Sequence, residues 1–190
     1  MTLRPAVFLD RDGTINVEVN YLYRLEDLQT IAGVPEAISR LNRAGRFVVV
    51  VTNQAGIARG FYGVEEMHAL HEHLNAVLKQ HDAHVDAWLF CPHHPDFTGP
   101  CACRKPAPGM LLEAAVRYDL DLGQSWLVGD SAGDLGAGTA AGSRTILVRT
   151  GYGAAVESLI ETGEVERPSV VVDALPQAVD HILRTELERL

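Results

Sequence analysis

Six short runs of apolar, largely β-branched residues (7–9, 47–51, 85–90, 125–128, 145–148 and 170–172) alternate along this chain with longer segments of helical spacing. An uninterrupted apolar run reads as a strand buried on both faces, and such strands joined by helices pair in parallel. The helical segments fall at 34–44, 65–81, 108–118, after Gly129, and from Leu175 onward. Pro35 near the start of the first and Gly45 just past its end mark its boundaries. The expected fold class is α/β, with a mostly parallel sheet covered on both faces by helices. The stretch after Gly129 has the weakest helix propensity, because it carries Gly133, Gly136 and Gly138. Residues 16–29 and 91–108 are the least regular segments.

A chain of 190 residues with 47% hydrophobic content suits one domain with a sizeable core. A formal net charge of -9 leaves no electrostatic footprint for nucleic acid or for an anionic membrane surface. The longest apolar stretch, 47–51, is far too short to span a bilayer. The first residues, Met1-Thr2-Leu3-Arg4-Pro5, lack the apolar segment of a secretion signal, so the expected location is cytoplasmic. No long unbroken apolar surface pattern appears, and a monomer is expected. The three cysteines are odd in number and clustered at Cys91, Cys101 and Cys103, which favours metal binding or catalysis over a disulfide framework.

The chemistry gathers where the apolar runs end, and in a parallel sheet those ends can meet at one edge. Asp10-Arg11-Asp12-Gly13-Thr14 follows the first run. Two carboxylates so close repel unless a cation sits with them, which suggests a Mg²⁺ site with one aspartate free to attack an electrophile. A solvated turn is the simpler alternative for this segment alone. Thr52-Asn53-Gln54 ends the second run, and a hydroxyl followed by turn amides suits a phosphoryl group. Arg104-Lys105 precedes a proline-started helix and supplies cations for phosphate, or else a solvated basic pair. Gly129-Asp130-Ser131 with Asp134 is a second acidic strand end, able to complete an oxygen shell for Mg²⁺ or to cap the next helix.

In this order the four segments resemble the haloacid dehalogenase-like superfamily of phosphatases, from about Ala6 to Thr150. Asp10-Arg11-Asp12-Gly13-Thr14, Thr52-Asn53, Lys105, and Gly129-Asp130 with Asp134 match its four motifs. The resemblance implies a Rossmann-like, doubly wound sheet, and a single domain over 1–190. No gap in the chain is long enough for a large inserted cap domain. It also implies roles. Asp10 is the nucleophile and Asp12 the acid and base. Thr52 and Lys105 complete the catalytic set. Asp10, the Asp12 backbone carbonyl and Asp130 hold Mg²⁺, with Asp134 supporting. Arg11, Glu18, Val19, Asn20, Tyr21, Asn53, Gln54, Ala55 and Arg104 contact substrate.

Cys91, His93, Cys101 and Cys103 offer three thiols and an imidazole within one short loop, 91–103. That is the ligand set of a tetrahedral structural Zn²⁺, with His94 as the alternative imidazole. The loop runs into Arg104-Lys105-Pro106, and in this it looks like the zinc-bearing heptose-bisphosphate phosphatases. The segments Asp10 to Asn16, Val51 to Gly60, Cys101 to Met110 and Leu147 to Gly151 are similar to that family as well. The family's reaction is removal of the 7-phosphate of D-glycero-D-manno-heptose 1,7-bisphosphate, on the way to heptose nucleotides and the lipopolysaccharide core. The implied partner is thus a small phosphorylated sugar. Histidinol-phosphate phosphatases share much of the pattern. A non-catalytic, zinc-organised phosphosugar-binding module is the reading of another class. The histidines His68, His71, His73 and His81 are read as a solvated helix face rather than a metal site.

Overall fold

The computed structural model describes residues 3–187. The six apolar runs become β1 (Ala6–Leu9), β2 (Phe47–Asn53), β3 (Ala87–Cys91), β4 (Trp126–Gly129), β5 (Arg144–Val148) and β6 (Val170–Val172). They form one sheet in the order β3-β2-β1-β4-β5-β6, with every neighbouring pair parallel. The helices are α1 (Val34–Arg43), α2 (Ala55–Ala58), α3 (Val64–Lys79), α4 (Pro95–Thr98), α5 (Gly109–Tyr118), α6 (Ala132–Ala140), α7 (Gly153–Glu161) and α8 (Leu175–Leu187).

Successive side chains of a strand point to opposite faces, and this sheet is buried on both. Val7, Leu9, Val48, Val50, Trp126 and Val128 pack on one face with Ile38 and Leu41 of α1, Leu74 and Leu78 of α3, and Val179 and Ile182 of α8. Phe8, Val49, Val51 and Leu127 pack on the other with Met110, Leu111 and Ala114 of α5 and Ala137 of α6. The chain steps from β1 outward to β2 and β3, then crosses to β4 on the other side. That reversal opens a crevice at the carboxyl end of β1, between the loops that leave β2 and β4.

Differences from the sequence expectation have local causes. The run at 85–90 joins the ladder only at Ala87, which pairs with Val49. Just before it, the Asp86 N–H still donates to the Val48 carbonyl at 2.9 Å, but the Asp86 carboxylate, not a backbone carbonyl, accepts the Val48 N–H at 2.7 Å. Helix α6 forms despite its glycines because they are needed for close packing. A Cβ at Gly136 would lie 2.8 Å from the Pro106 ring, and one at Gly138 would overlap Thr145. Ser131 caps α6: its Oγ accepts the Asp134 N–H at 3.2 Å, and Asp134 returns the bond to the Ser131 N–H at 3.0 Å. Helix α7 has no counterpart in the sequence reading. Its apolar stripe is short, and it folds because Val156 and Ile160 cover Leu135 and Leu147.

The solvated-face reading of the histidines holds for His68, His73 and His81, which are exposed, and fails for His71. His71 is buried and stacks on Trp88 with ring centroids 4.3 Å apart, and its Nε2 lies 3.3 Å from Arg11 Nη1.

Candidate active site

Asp10 stands directly after β1, its N–H donating to the Val128 carbonyl at 2.9 Å. Its carboxylate lies 2.8 Å from Lys105 Nζ. The Lys105 ammonium also donates to Asp134 Oδ1 at 2.5 Å and to the Val51 carbonyl at 2.8 Å. Three donors thus have three acceptors, and the side chain is almost fully buried. Burial pulls the Lys105 pKa down, but Asp10 and Asp134 outweigh it and hold the ammonium protonated. Asn53, at the end of β2, sets the height of this lysine. Its Oδ1 accepts the Lys105 N–H and its Nδ2 donates to the Lys105 carbonyl, each at 3.1 Å.

Carboxylate oxygens of Asp10, Asp130 and Asp134 lie within 4.8 Å of one another. Three buried carboxylates around one ammonium leave two negative charges uncompensated. Burial pushes the Asp10 carboxyl up to about 8, with Lys105 opposing and Asp134 and Asp130 reinforcing the rise. Burial and the Asp134 charge lift Asp130 to about 7. Such a site favours either protons or a divalent cation, and its donors are all hard oxygens of the kind Mg²⁺ takes. Asp130 is aimed by its surroundings. The Tyr152 N–H donates to its Oδ2 at 2.8 Å, and a Cβ on either Gly13 or Gly151 would overlap its carboxylate. Both glycines have positive φ, +80° and +56°.

The Asp12 side chain lies outside that cluster. Its Oδ1 accepts from Arg11 Nε at 3.1 Å and Asn16 Nδ2 at 3.0 Å, and its Oδ2 from Arg11 Nη2 at 2.8 Å and Gln54 Nε2 at 3.0 Å. Gln54 is held by the Tyr62 hydroxyl, which donates to Oε1 at 2.6 Å, and donates in turn to Thr52 Oγ1 at 2.8 Å. The cation beside Asp12 is therefore Arg11, whereas Asp10 faces Lys105. Arg11 itself is fully buried behind Asp12 and against His71, away from the cavity wall where the sequence reading put it.

Asp10, Asp12, Thr52, Asn53, Lys105 and Asp130 line a cavity of about 260 Å³. Glu18, Val19, Asn20, Tyr21, Gln54, Ala55 and Arg104 share its walls, so the remaining expected substrate contacts gather there. Ser131, from the second acidic strand end, and His94 line it too, as do Leu22, Tyr62 and Tyr152, which had no motif to reveal them. Tyr62 and Tyr152 reach the cavity from distant segments. Burial, with the Asp12 and Asp10 charges, lifts Glu18 to about 7.

Beside this cavity Cys91, His93, Cys101 and Cys103 converge. Sulfur separations are 3.0 Å (Cys91–Cys103), 3.5 Å (Cys101–Cys103) and 3.6 Å (Cys91–Cys101), and His93 Nδ1 lies 3.3 Å from Cys103 Sγ. The sulfurs are too far apart for a disulfide. They approach the edge of a tetrahedron around Zn²⁺, about 3.8 Å for Zn–S bonds of ~2.3 Å. The cluster takes His93, and His94 faces the cavity instead. The Arg104 guanidinium donates to the His93 carbonyl at 3.3 Å, tying the cluster to the cavity wall.

Comparison with known proteins agrees with this geometry. A family model described as HAD-hydrolase-like matches residues 102–178. The chain is 44% identical to D-glycero-D-manno-heptose-1,7-bisphosphate 7-phosphatase of Thermosynechococcus vestitus, over 94% of this chain and 95% of that one. The chain belongs to that phosphatase family. It is also 40% identical to the D-glycero-beta-D-manno-heptose-1,7-bisphosphate 7-phosphatase of Vibrio cholerae, over 96% of this chain and 98% of that one. Among solved structures, the D,D-heptose 1,7-bisphosphate phosphatase of B. bronchiseptica, complexed with magnesium and phosphate, superposes with a TM-score of 0.86. That match has 36% identity and covers 95% of this chain and 99% of the other. The Rossmann-like, doubly wound sheet of this family is the sheet described above, and the protein is a phosphoric monoester hydrolase.

Proposed function

We propose that this protein removes the 7-phosphate of D-glycero-D-manno-heptose 1,7-bisphosphate through an aspartyl phosphate on Asp10. The observation that carries the proposal is the Asp10 carboxylate at the cavity floor, 2.8 Å from a buried lysine and within 4.8 Å of two further carboxylates. Relatives of matching length named for this substrate support it over histidinol phosphate, and the intact catalytic set argues against a non-catalytic phosphosugar-binding module.

In the first step an Asp10 oxygen bonds to phosphorus as the bond to the sugar oxygen breaks, and Asp12 gives that oxygen a proton. In the second, water attacks the phosphorus, Asp12 takes its proton, and phosphate leaves with Asp10 again a carboxylate. The donors around Asp12 address it as an acceptor, the role this second step requires. Thr52 and the Asn53 amide hold phosphoryl oxygens. Lys105 offsets the developing charge in a buried setting, where electrostatic interactions are strongest. Asp10, the Asp12 backbone carbonyl and Asp130 would hold Mg²⁺, with Asp134 supporting through Lys105. When bound, the ion offsets phosphoryl charge and keeps the group in line. Glu18, Val19, Asn20, Tyr21, Gln54, Ala55 and Arg104 contact the sugar and its second phosphate. Zinc on Cys91, His93, Cys101 and Cys103 fixes loop 91–103 and with it Arg104 and Lys105. The proposal extends to one domain over 1–190, acting as a cytoplasmic monomer in heptose-nucleotide and lipopolysaccharide-core precursor synthesis. No helix among the described residues is long and apolar enough to cross a membrane.

Phosphate release from a panel of phosphate monoesters, compared by kcat/KM, tests the assignment. The heptose bisphosphate should lead, and preference for histidinol phosphate would overturn it.

A further inference from the structure

Three separate stretches of chain form the mouth of the cavity: 18–22, 54–62 and the loop through His94. No secondary structure joins them. They meet at Arg59, the residue that closes α2. Its Nη2 lies 3.0 Å from His94 Nε2. Its guanidinium sits 5.0 Å from the Phe97 ring centroid and 5.7 Å from that of Tyr21. The rings extend the cluster. Tyr21 meets Phe61 edge-on at 4.8 Å, and His94 meets Phe97 edge-on at 5.3 Å. On its other side the His94 ring accepts the Asp96 N–H at Nδ1, 3.2 Å away, and so caps α4. Tyr21 and His94 both line the cavity, whereas Arg59 stands behind them.

The local backbone also depends on an outside support. Tyr21 is a non-glycine residue at φ +57°, a conformation with an intrinsic cost. The 18–24 stretch contains no regular element. Helix α4 is a single turn that begins after His94. Leu22 is the one buried residue of 18–24 and 92–99 has none, while Phe61 and Phe97 remain 52% and 56% exposed. The planar, delocalised guanidinium can face two rings and an imidazole at once, which a lysine ammonium cannot.

We propose that Arg59 is a positioning residue that latches the Tyr21 segment and the His94 loop together, and so sets how well the mouth of the cavity holds the part of the substrate remote from the reacting phosphate. The inference rests on the sugar-bisphosphate reading above only for the identity of that remote part. Arg59 does not touch the Asp10–Lys105 centre. Its loss therefore acts on binding of a large substrate and spares a small one, since remote binding contacts contribute only where the substrate reaches them.

The test uses the zinc-loaded, magnesium-supplied full chain with Arg59→Met, which keeps the length and loses the fork. Steady-state kinetics are compared on heptose 1,7-bisphosphate and p-nitrophenyl phosphate. The expected result is a rise of about tenfold in KM for the bisphosphate, with kcat and p-nitrophenyl phosphate turnover within twofold of the parent. Hydrogen–deuterium exchange should speed up in 18–24 and 92–99 while β1 and β4 stay protected, and zinc content should be unchanged. Unaltered exchange in those two segments would overturn the latch whatever the substrate proves to be. Equal losses on both substrates, or loss of zinc, would also overturn it, in favour of a general structural role. If the parent shows no preference for the bisphosphate, the substrate assignment fails, and the exchange result alone decides the latch.

Discussion

Replacing Asp10 with Asn should abolish turnover and at the same time change how stability depends on pH. The folded, metal-free protein raises the Asp10 carboxyl to about 8 from an ordinary 3.8, burial being the main cause. Between those values the folded chain holds a proton that the unfolded chain has released. Stability from this group is therefore full below the unfolded pKa and is lost as pH rises through the folded one. One such proton corresponds to ~1.4 kcal/mol per pH unit at most. Asp130, lifted to about 7, shares the same crowd of carboxylates, so the portion belonging to Asp10 alone is smaller, about 1 kcal/mol per unit. From pH 5.5 to 7.5 the parent should lose about 2 kcal/mol more than Asp10→Asn, or ~4–8 °C in Tm for a domain of this size. Thermal unfolding at several pH values in magnesium-free, zinc-retaining buffer reads this directly. Adding Mg²⁺ should reverse the effect in the parent, because the ion favours the ionised form, and should help the variant less. Parallel pH profiles for the two proteins, or a parent that gains stability across this range, would refute the reasoning. Residual turnover in the variant would remove Asp10 as nucleophile.

Three further substitutions probe other parts of the site. Lys105→Met leaves Asp10, Asp134 and the Val51 carbonyl without their shared donor, so unfolding titrations should show a loss of ~3–5 kcal/mol and phosphate release should fall at least ~10³-fold. Cys103→Ser takes away the proposed zinc ligand nearest both Cys91 and His93. Bound zinc should drop below one equivalent by elemental analysis, and turnover should collapse even in ample Mg²⁺. Gly151→Ala places a methyl on the Asp130 carboxylate at a φ of +56°, and Mn²⁺ binding followed by electron paramagnetic resonance should weaken about tenfold with the far-ultraviolet circular dichroism unchanged.

The strands illustrate which kind of information a sequence carries. A run such as Phe47 to Val51 is buried on both faces wherever it lies in a parallel sheet, so its composition alone identifies it. Helix α7 escaped the same reading because its two core residues become a stripe only once Leu135 and Leu147 lie beneath them. The motif residues Asp10, Thr52, Lys105 and Asp130 were legible for a related reason. Each sits at or beside the end of an apolar strand or the start of a helix, where local spacing marks it. His71 was not. It stands four residues after Met67 and three before Leu74, on the buried face of α3, but a polar side chain does not mark that face, and the stacking of Trp88 and the contact with Arg11 complete its enclosure.

By itself the sequence determined the α/β class, the identity of the charged and thiol groups, and their order along the chain. These follow from local chemistry: side-chain volume, hydrophobic period and ligand type. Tertiary structure decided which groups share a charge. Asp12 pairs with Arg11 and Asp10 with Lys105, although the two aspartates are next-but-one neighbours in the chain. It placed Arg11 in the interior, chose His93 over His94 for the thiol cluster, and brought Tyr62 and Tyr152 to the cavity wall. The Lys105–Asp10 pair, the burial of Arg11 against His71 and the arrival of Tyr62 and Tyr152 depend on contacts between residues tens of positions apart, whose geometry the sheet order fixes and no short spacing can encode.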